Sequence, residues 1–215
     1  MHFQNKYDLV IFDWDGTLMD SIGAIVESMQ SAAKELSIDV PSERAIRDLI
    51  GLSLPKILDT LFGHLAHLHD SITERYRFHY LSGRFASPLF EGAEQLLSDL
   101  SDSGYTLAIA TGKARQSLDR TLALSGVEHL FKASRCADET KSKPDPLMLH
   151  SLLAHFDVPA HRAVMIGDSV HDLNMANNAG IASIGVSYGA NLVAQLTSAN
   201  PIAIVDKVSD LALHL

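Results

Sequence analysis

Three short apolar runs, each stopping at a polar residue, constrain this chain of 215 residues more than any other feature. Leu9-Val10-Ile11-Phe12 runs into Asp13-Trp14-Asp15-Gly16-Thr17, Leu107-Ala108-Ile109-Ala110 into Thr111-Gly112-Lys113, and Ala163-Val164-Met165-Ile166 into Gly167-Asp168-Ser169. Apolar runs without alternation predict parallel strands buried on both faces. In an open sheet of that kind, ligands sit beyond the carboxyl ends of the strands. Asp13, Asp15, Thr111 and Asp168 are therefore expected along one rim. Several carboxylates on one rim suit a hard cation.

Hydrophobic residues make up 47% of the chain and charged residues 20%, which fits one domain, or a core with a modest insertion. The formal charge of −9 counts against nucleic acid as a partner, because such proteins present a basic face. Cys136 is the only cysteine, so no internal disulfide framework is expected and the residue reads as core filler. Met1-His2-Phe3-Gln4-Asn5-Lys6 lacks the apolar stretch of a signal peptide, and no apolar run approaches the ~18–20 residues of a membrane span. The expectation is a cytoplasmic protein without membrane contact. Monomer and homodimer both stay open.

Between the first two strands the sequence carries helical signals only. Ile22, Ile25, Val26, Met29, Ala33 and Leu36 keep the spacing of one buried helix face, with Asp20 or Ser21 as cap. A second helix follows Ser42 and breaks at Gly51, a third starts at Ser53-Leu54-Pro55, and a fourth covers Ser71 to Leu81. These predict a helical insertion over residues 20–83 in a core made of 1–19 and 84–215. From Pro88 onward helices and strands alternate: helix Ala93–Ser101, strand Thr106–Ala110, helix Arg115–Ser125, strand Phe131–Ser134. They continue with a helix started by Asp145-Pro146 and ending near Phe156, strand Ala163–Ile166, helix Val170–Ala179, and strands Ile181–Ile184 and Ile202–Val205.

The rim residues suit phosphoryl transfer. A carboxylate such as Asp13 can attack phosphorus and split one hard hydrolysis into two steps. A second carboxylate, Asp15, can protonate an alkoxide leaving group and later take a proton from water. That need for an acid points to phosphate esters of alcohols rather than nucleoside triphosphates. Gly16 lets the chain turn at close range to a ligand, and Thr17 is expected to bond the Asp15 carboxylate and fix its rotamer. Asp168 and Asp172 suit magnesium. Ser169-Val170-His171-Asp172 also fits a helix capping box with Asp in place of Glu, so Ser169 and Asp172 can do both jobs. Thr111 and Gly112 can offer a hydroxyl and an N–H at a helix start as a phosphate cradle. Lys143, aimed by the restriction that Pro144 imposes, can neutralise charge on the transferring group, with Lys141 as its competitor. Lys113 is assigned to a helix start rather than to substrate. His64, His67 and His69 read as exposed residues, since no zinc pattern accompanies them. Trp14 reads as core.

Taken in order, Asp13-x-Asp15-Gly16-Thr17, Thr111 after an apolar strand, Lys143-Pro144 and Gly167-Asp168-Ser169-x-x-Asp172 resemble the haloacid dehalogenase superfamily over essentially the whole chain. The resemblance implies an α/β fold: a Rossmann-like parallel-sheet core with an inserted α-helical cap. It implies that Asp13 is the nucleophile and Asp15 the general acid/base. It implies Mg2+ on the Asp13 carboxylate, the Asp15 backbone carbonyl and Asp168, with Gly16, Thr17, Ser169 and Asp172 in support and Thr111, Gly112 and Lys143 on phosphate. Gly16-Thr17-Leu18-Met19-Asp20-Ser21 and Ile50-Gly51-Leu52-Ser53 resemble the phosphoglycolate phosphatase-like branch, the second segment as a substrate-reading cap loop. The expected activity is hydrolysis of a small phosphorylated metabolite, phosphoglycolate-like or a sugar phosphate. A phosphomutase resembling the β-phosphoglucomutases and a phospho-aspartate signalling switch are the competing readings.

Overall fold

β1 (Leu9–Phe12) lies inside a parallel sheet in a computed structural model that describes residues 6–82 and 87–215. The amino-terminal residues through Asn5, and the expected insertion boundary at Gly83, lie outside the described residues. The other strands are β2 (Thr106–Thr111), β3 (Ala133–Cys136), β4 (Ala163–Gly167), β5 (Ala182–Val186) and β6 (Ala203–Val205), in the order β3-β2-β1-β4-β5-β6. Phe12 stands opposite Ile109 of β2 and Ile166 of β4. The chain winds outward from β1 through β2 to β3, then restarts on the other side at β4. The carboxyl ends of β1 and β4 therefore flank the point where the winding reverses, the usual ligand crevice of such sheets.

The unbroken apolar runs follow from cover on both faces. Val10, Phe12, Leu107, Ile109, Val164 and Ile166 point into one layer with helix α5 (Ala93–Asp102) and helix α6 (Arg115–Ser125). Leu9, Ile11, Ala108, Ala110, Ala163 and Met165 point into the other, against α7 (Leu147–Phe156) and α8 (Val170–Ala179). Alternate residues of one strand thus serve opposite cores. A short helix not foreseen in the sequence, α9 (Val193–Thr197), sets Leu196 against Leu173.

Some boundaries differ from expectation. The strand expected at Phe131–Ser134 forms as β3 two residues later, because Phe131 follows a single helical turn at Glu128–Leu130 and turns its ring edge-on to Trp14. α7 starts at Leu147 rather than at Pro146, with the Asp145 carboxylate accepting the Leu147 N–H at 3.0 Å.

Between β1 and β2 run α1 (Ile22–Glu35), α2 (Glu43–Arg47), α3 (Leu54–Phe62) and α4 (His69–Leu81). Ile22, Ile25, Val26, Met29 and Ala33 of α1 join Ile46, Phe62 and Ile72 in an apolar core of their own. The segments that enter and leave this bundle are tied together: the Asp20 N–H donates to the Pro88 carbonyl at 2.8 Å and the Phe90 N–H to the Leu18 carbonyl at 2.9 Å.

Ile109 is fully buried on the interior strand β2, whereas Leu124 on α6 is 77% exposed. Ile109→Ala should cost about 2–5 kcal/mol of unfolding free energy through lost transfer and the cavity left behind. Leu124→Ala should stay within about 0.5 kcal/mol. Urea unfolding of both variants checks the contrast, and equal losses would contradict this packing.

Candidate active site

The sheet brings the expected rim residues together. Asp13 follows β1 directly, Asp168 follows β4, and Thr111 closes β2. The Asp13 N–H donates to the Ile166 carbonyl at 2.9 Å, which extends the β1–β4 pairing one residue and fixes where the side chain starts. Gly16 then turns with φ +78°, and a Cβ there would lie 2.1 Å from Asp168 Oδ2. No side chain fits between this turn and the Asp168 carboxylate.

One oxygen each from Asp13, Asp168 and Asp172 lie within 4.8 Å of one another, and all three residues are buried. Lys143, itself completely buried, sits among them: its Nζ is 2.8 Å from Asp13 Oδ1 and 2.5 Å from Asp172 Oδ1. Burial pushes the Asp13 carboxyl up to about 7, against the pull of Lys143 and with help from the negative charge of Asp172. Burial likewise raises Asp168 well above the carboxylate range, joined by Asp13 and Asp172. For Lys143 burial acts the other way, but Asp13 and Asp172 outweigh it and hold the ammonium protonated. Lys141, the competitor, is exposed and pairs with Asp145 at 3.4 Å.

Asp172 is spoken for. Its Oδ1 meets Lys143, and its Oδ2 accepts from the Ser169 hydroxyl at 2.6 Å and the Ser169 N–H at 3.2 Å. The capping box expected at α8 is formed. Asp168 differs: Oδ2 accepts the Ala190 N–H at 2.6 Å and Oδ1 a long 3.4 Å contact from Thr17 Oγ1. The expectation that Thr17 fixes Asp15 is therefore corrected. The Gly16 turn brings Thr17 to Asp168, and Ser21 Oγ donates to Asp15 Oδ1 at 2.6 Å instead. Ser21 precedes α1 without a side-chain cap bond, its hydroxyl being used on Asp15.

The second correction is Lys113. Its side chain is 7% exposed and its Nζ lies 2.8 Å from Asp15 Oδ2, 3.1 Å from the Tyr80 hydroxyl and 4.8 Å from the centre of the Tyr80 ring. It joins Asp15 to α4 at the edge of the cavity described below. α6 starts only at Arg115, so Thr111 and Gly112 precede a loop rather than a helix turn. Thr111 Oγ1 accepts the Lys113 N–H at 3.2 Å. A Cβ on Gly112 would lie 2.5 Å from the Gly51 carbonyl oxygen and 2.6 Å from that of Leu52, so only glycine lets the helical insertion come this close. The Ser53 N–H donates to Ser142 Oγ at 2.9 Å, and Arg47 reaches the Gly189 carbonyl at 2.8 Å, across the same seam.

Between insertion and sheet lies a cavity of about 550 Å³ whose lining includes Asp13, Asp15, Thr111, Gly112, Lys113 and the Ile50–Ser53 loop. The other expectations sort simply. Trp14 and Cys136 are buried in the core, where burial pushes the Cys136 thiol up to about 12. His64 and His67 are exposed, whereas His69 is half-buried with Nε2 3.0 Å from the Phe62 carbonyl oxygen.

The donor set fits a hard cation. Asp13 Oδ2 is buried without a hydrogen-bond partner, and Asp13 and Asp168 present carboxylate oxygens close together. Both Asp172 oxygens are already engaged by Lys143 and Ser169, so its contacts brace the other two carboxylates.

The family of haloacid dehalogenase-like hydrolases matches the chain over residues 10–186. Over 212 residues the chain is 36% identical to the probable phosphatase IndB of Dickeya dadantii, spanning 94% of this chain and 90% of that one. It is 28% identical over 218 residues to a phosphoglycolate phosphatase of Vibrio parahaemolyticus, spanning 97% and 96%. A solved structure of a predicted phosphoglycolate phosphatase from Haemophilus somnus 129PT superposes with a TM-score of 0.87 at 25% identity, over 97% of this chain and 98% of that one.

Without a cation, the raised Asp13 carboxyl keeps a proton between pH 3.8 and about 7 that the unfolded chain has lost. The native state then binds more protons, so its stability falls as pH rises through that window. A divalent cation held by Asp13 would take the place of the proton. The rise in Tm on adding excess magnesium should therefore be larger at about pH 8 than at about pH 6, as thermal unfolding followed by circular dichroism would show. A larger rise at the lower pH would contradict the carboxylate site.

Proposed function

The chain belongs to the haloacid dehalogenase-like hydrolases, and on that premise we propose that it hydrolyses small phosphorylated metabolites through an aspartyl-phosphate on Asp13, with magnesium as the cation. The observation that carries this reading is the pair of carboxylates in two different settings. Asp13 is buried beside Lys143 at the strand end, while Asp15 stands at the cavity, held by Ser21 and Lys113. The phosphatase relatives support the hydrolytic class, and the substrates of this reading are phosphoglycolate-like or sugar phosphates.

In this reading an Asp13 oxygen attacks phosphorus and the ester P–O bond breaks. Asp15 gives its proton to the departing alkoxide, then takes one from the water that attacks the aspartyl-phosphate and frees inorganic phosphate. Lys143, Thr111 and Gly112 face the phosphoryl oxygens. The Asp13 carboxylate, the Asp15 backbone carbonyl and Asp168 would hold magnesium, which would supply positive charge for the transferring group. Gly16, Thr17, Ser169 and Asp172 support that arrangement. Residues 20–83 act as a cap on a core of residues 1–19 and 84–215, and their closure excludes water and contacts the leaving group.

Asp13→Asn keeps the size but removes the nucleophile, so kcat should fall roughly a thousandfold or more while circular dichroism stays native. Asp15→Asn should slow the first step more for ethyl phosphate than for p-nitrophenyl phosphate, whose leaving group needs less protonation. Phosphate-release and rapid-quench rates read both. Substantial activity in folded Asp13→Asn, or equal first-step losses in Asp15→Asn, would contradict the assignment.

A further inference from the structure

The cavity above Asp15 is larger and more apolar than the ester of a two-carbon acid requires. Its volume of about 550 Å³ falls within the about 300–1,000 Å³ of pockets that bury drug-sized ligands. On the insertion side its lining includes Ile50, Leu52, Leu54 and Ile57, with Tyr76 and Tyr80 of α4 and the smaller polar Ser53 and Thr73. The two tyrosine rings stack with centroids 5.8 Å apart and 23° between their planes. Burial pushes the Tyr76 phenol up, so the ring stays neutral.

The cations nearest the ester are committed. Lys113 lies between Asp15 and Tyr80, and Lys143 between Asp13 and Asp172. Arg77 and Arg120, the remaining lysine or arginine side chains of the lining among the described residues, are exposed, and Arg120 donates to the Leu81 carbonyl at 3.4 Å. A carboxylate one carbon from the ester oxygen would find, among the described residues, only lysines already neutralised and arginines at the exposed edge, which is costly. A flat, weakly polar body fits that lining and can pack against the aromatic pair.

We propose that the preferred substrate is a phosphomonoester of a ring-bearing alcohol, whose ring occupies the space between the Ile50–Leu54 loop and Tyr76–Tyr80. This names the substrate class of the site and rests on the phosphatase reading above. The reaction stays a hydrolysis. The P–O bond to the ring-bearing alcohol breaks with its electron pair on that oxygen, Asp15 supplies the proton, and water restores Asp13 with release of phosphate.

Initial rates of the magnesium-loaded full chain would be compared on ethyl phosphate, phenethyl phosphate and phosphoglycolate. Ethyl and phenethyl leaving groups are nearly equally basic, so their difference reports contact with the cavity rather than chemistry. Phenethyl phosphate should exceed both others in kcat/KM by at least about tenfold, mostly through KM. Tyr76→Ala should shrink the phenethyl-to-ethyl ratio toward one, while Tyr76→Phe should keep it. Equal efficiencies on the wild-type protein, or a preference for phosphoglycolate, would overturn the proposal while leaving the phosphatase reading intact. No turnover of these esters or of p-nitrophenyl phosphate would overturn the phosphatase reading, and this proposal with it.

Discussion

The ammonium of Lys143, buried between Asp13 and Asp172, is the interaction on which the rest of the site depends. Three carboxylates within 4.8 Å of one another repel, and burial sharpens that repulsion. A single fixed cation offsets part of it, and the excess negative charge that remains suits a second cation. Removing one partner of such a buried pair typically costs about 3–5 kcal/mol, because a charge is then left uncompensated. The arrangement also divides labour among the acids. Asp172 is held by Lys143 and Ser169 and Asp168 by Ala190, which leaves Asp13 Oδ2 as the buried oxygen without a hydrogen-bond partner in this group.

The same economy links the sheet to the helical insertion. Gly112 admits the Gly51–Leu52 backbone to within contact of the β2 end, and Lys113 bridges Asp15 to Tyr80. The paired segments around Leu18–Asp20 and Pro88–Phe90 form the two joins between the layers. Asp15 is thus positioned from both sides, by Ser21 where the chain enters the insertion and by Lys113 across the cavity.

Much of this was legible in the chain because the strongest signals are short and local. An apolar run with both faces covered has few alternatives to a buried parallel strand, and the residue following it must lie at the strand end. That logic placed Asp13, Thr111 and Asp168, and the capping pattern placed Ser169 and Asp172. What failed depended on turns and on contacts across the layers. The φ of Gly16 decides that Thr17 meets Asp168 and not Asp15, and nothing in Asp15-Gly16-Thr17 states which way the turn goes. In the sequence Lys113 reads as one more helix-start lysine, because its partner, Tyr80, lies 33 residues away in another layer. Its position directly after Thr111-Gly112 was the signal available. The late start of β3 reflects the packing of Phe131 on Trp14, again a tertiary choice.

The central claim is that Asp13 becomes covalently phosphorylated. Enzyme turning over ethyl phosphate with magnesium can be quenched in acid, reduced with borohydride and digested, since borohydride converts an acyl phosphate on aspartate to homoserine. Peptide mass spectrometry should find homoserine at position 13 in the turning-over sample and aspartate there when substrate is omitted. Reduction at another carboxylate, or unmodified Asp13 during demonstrable turnover, would contradict the account.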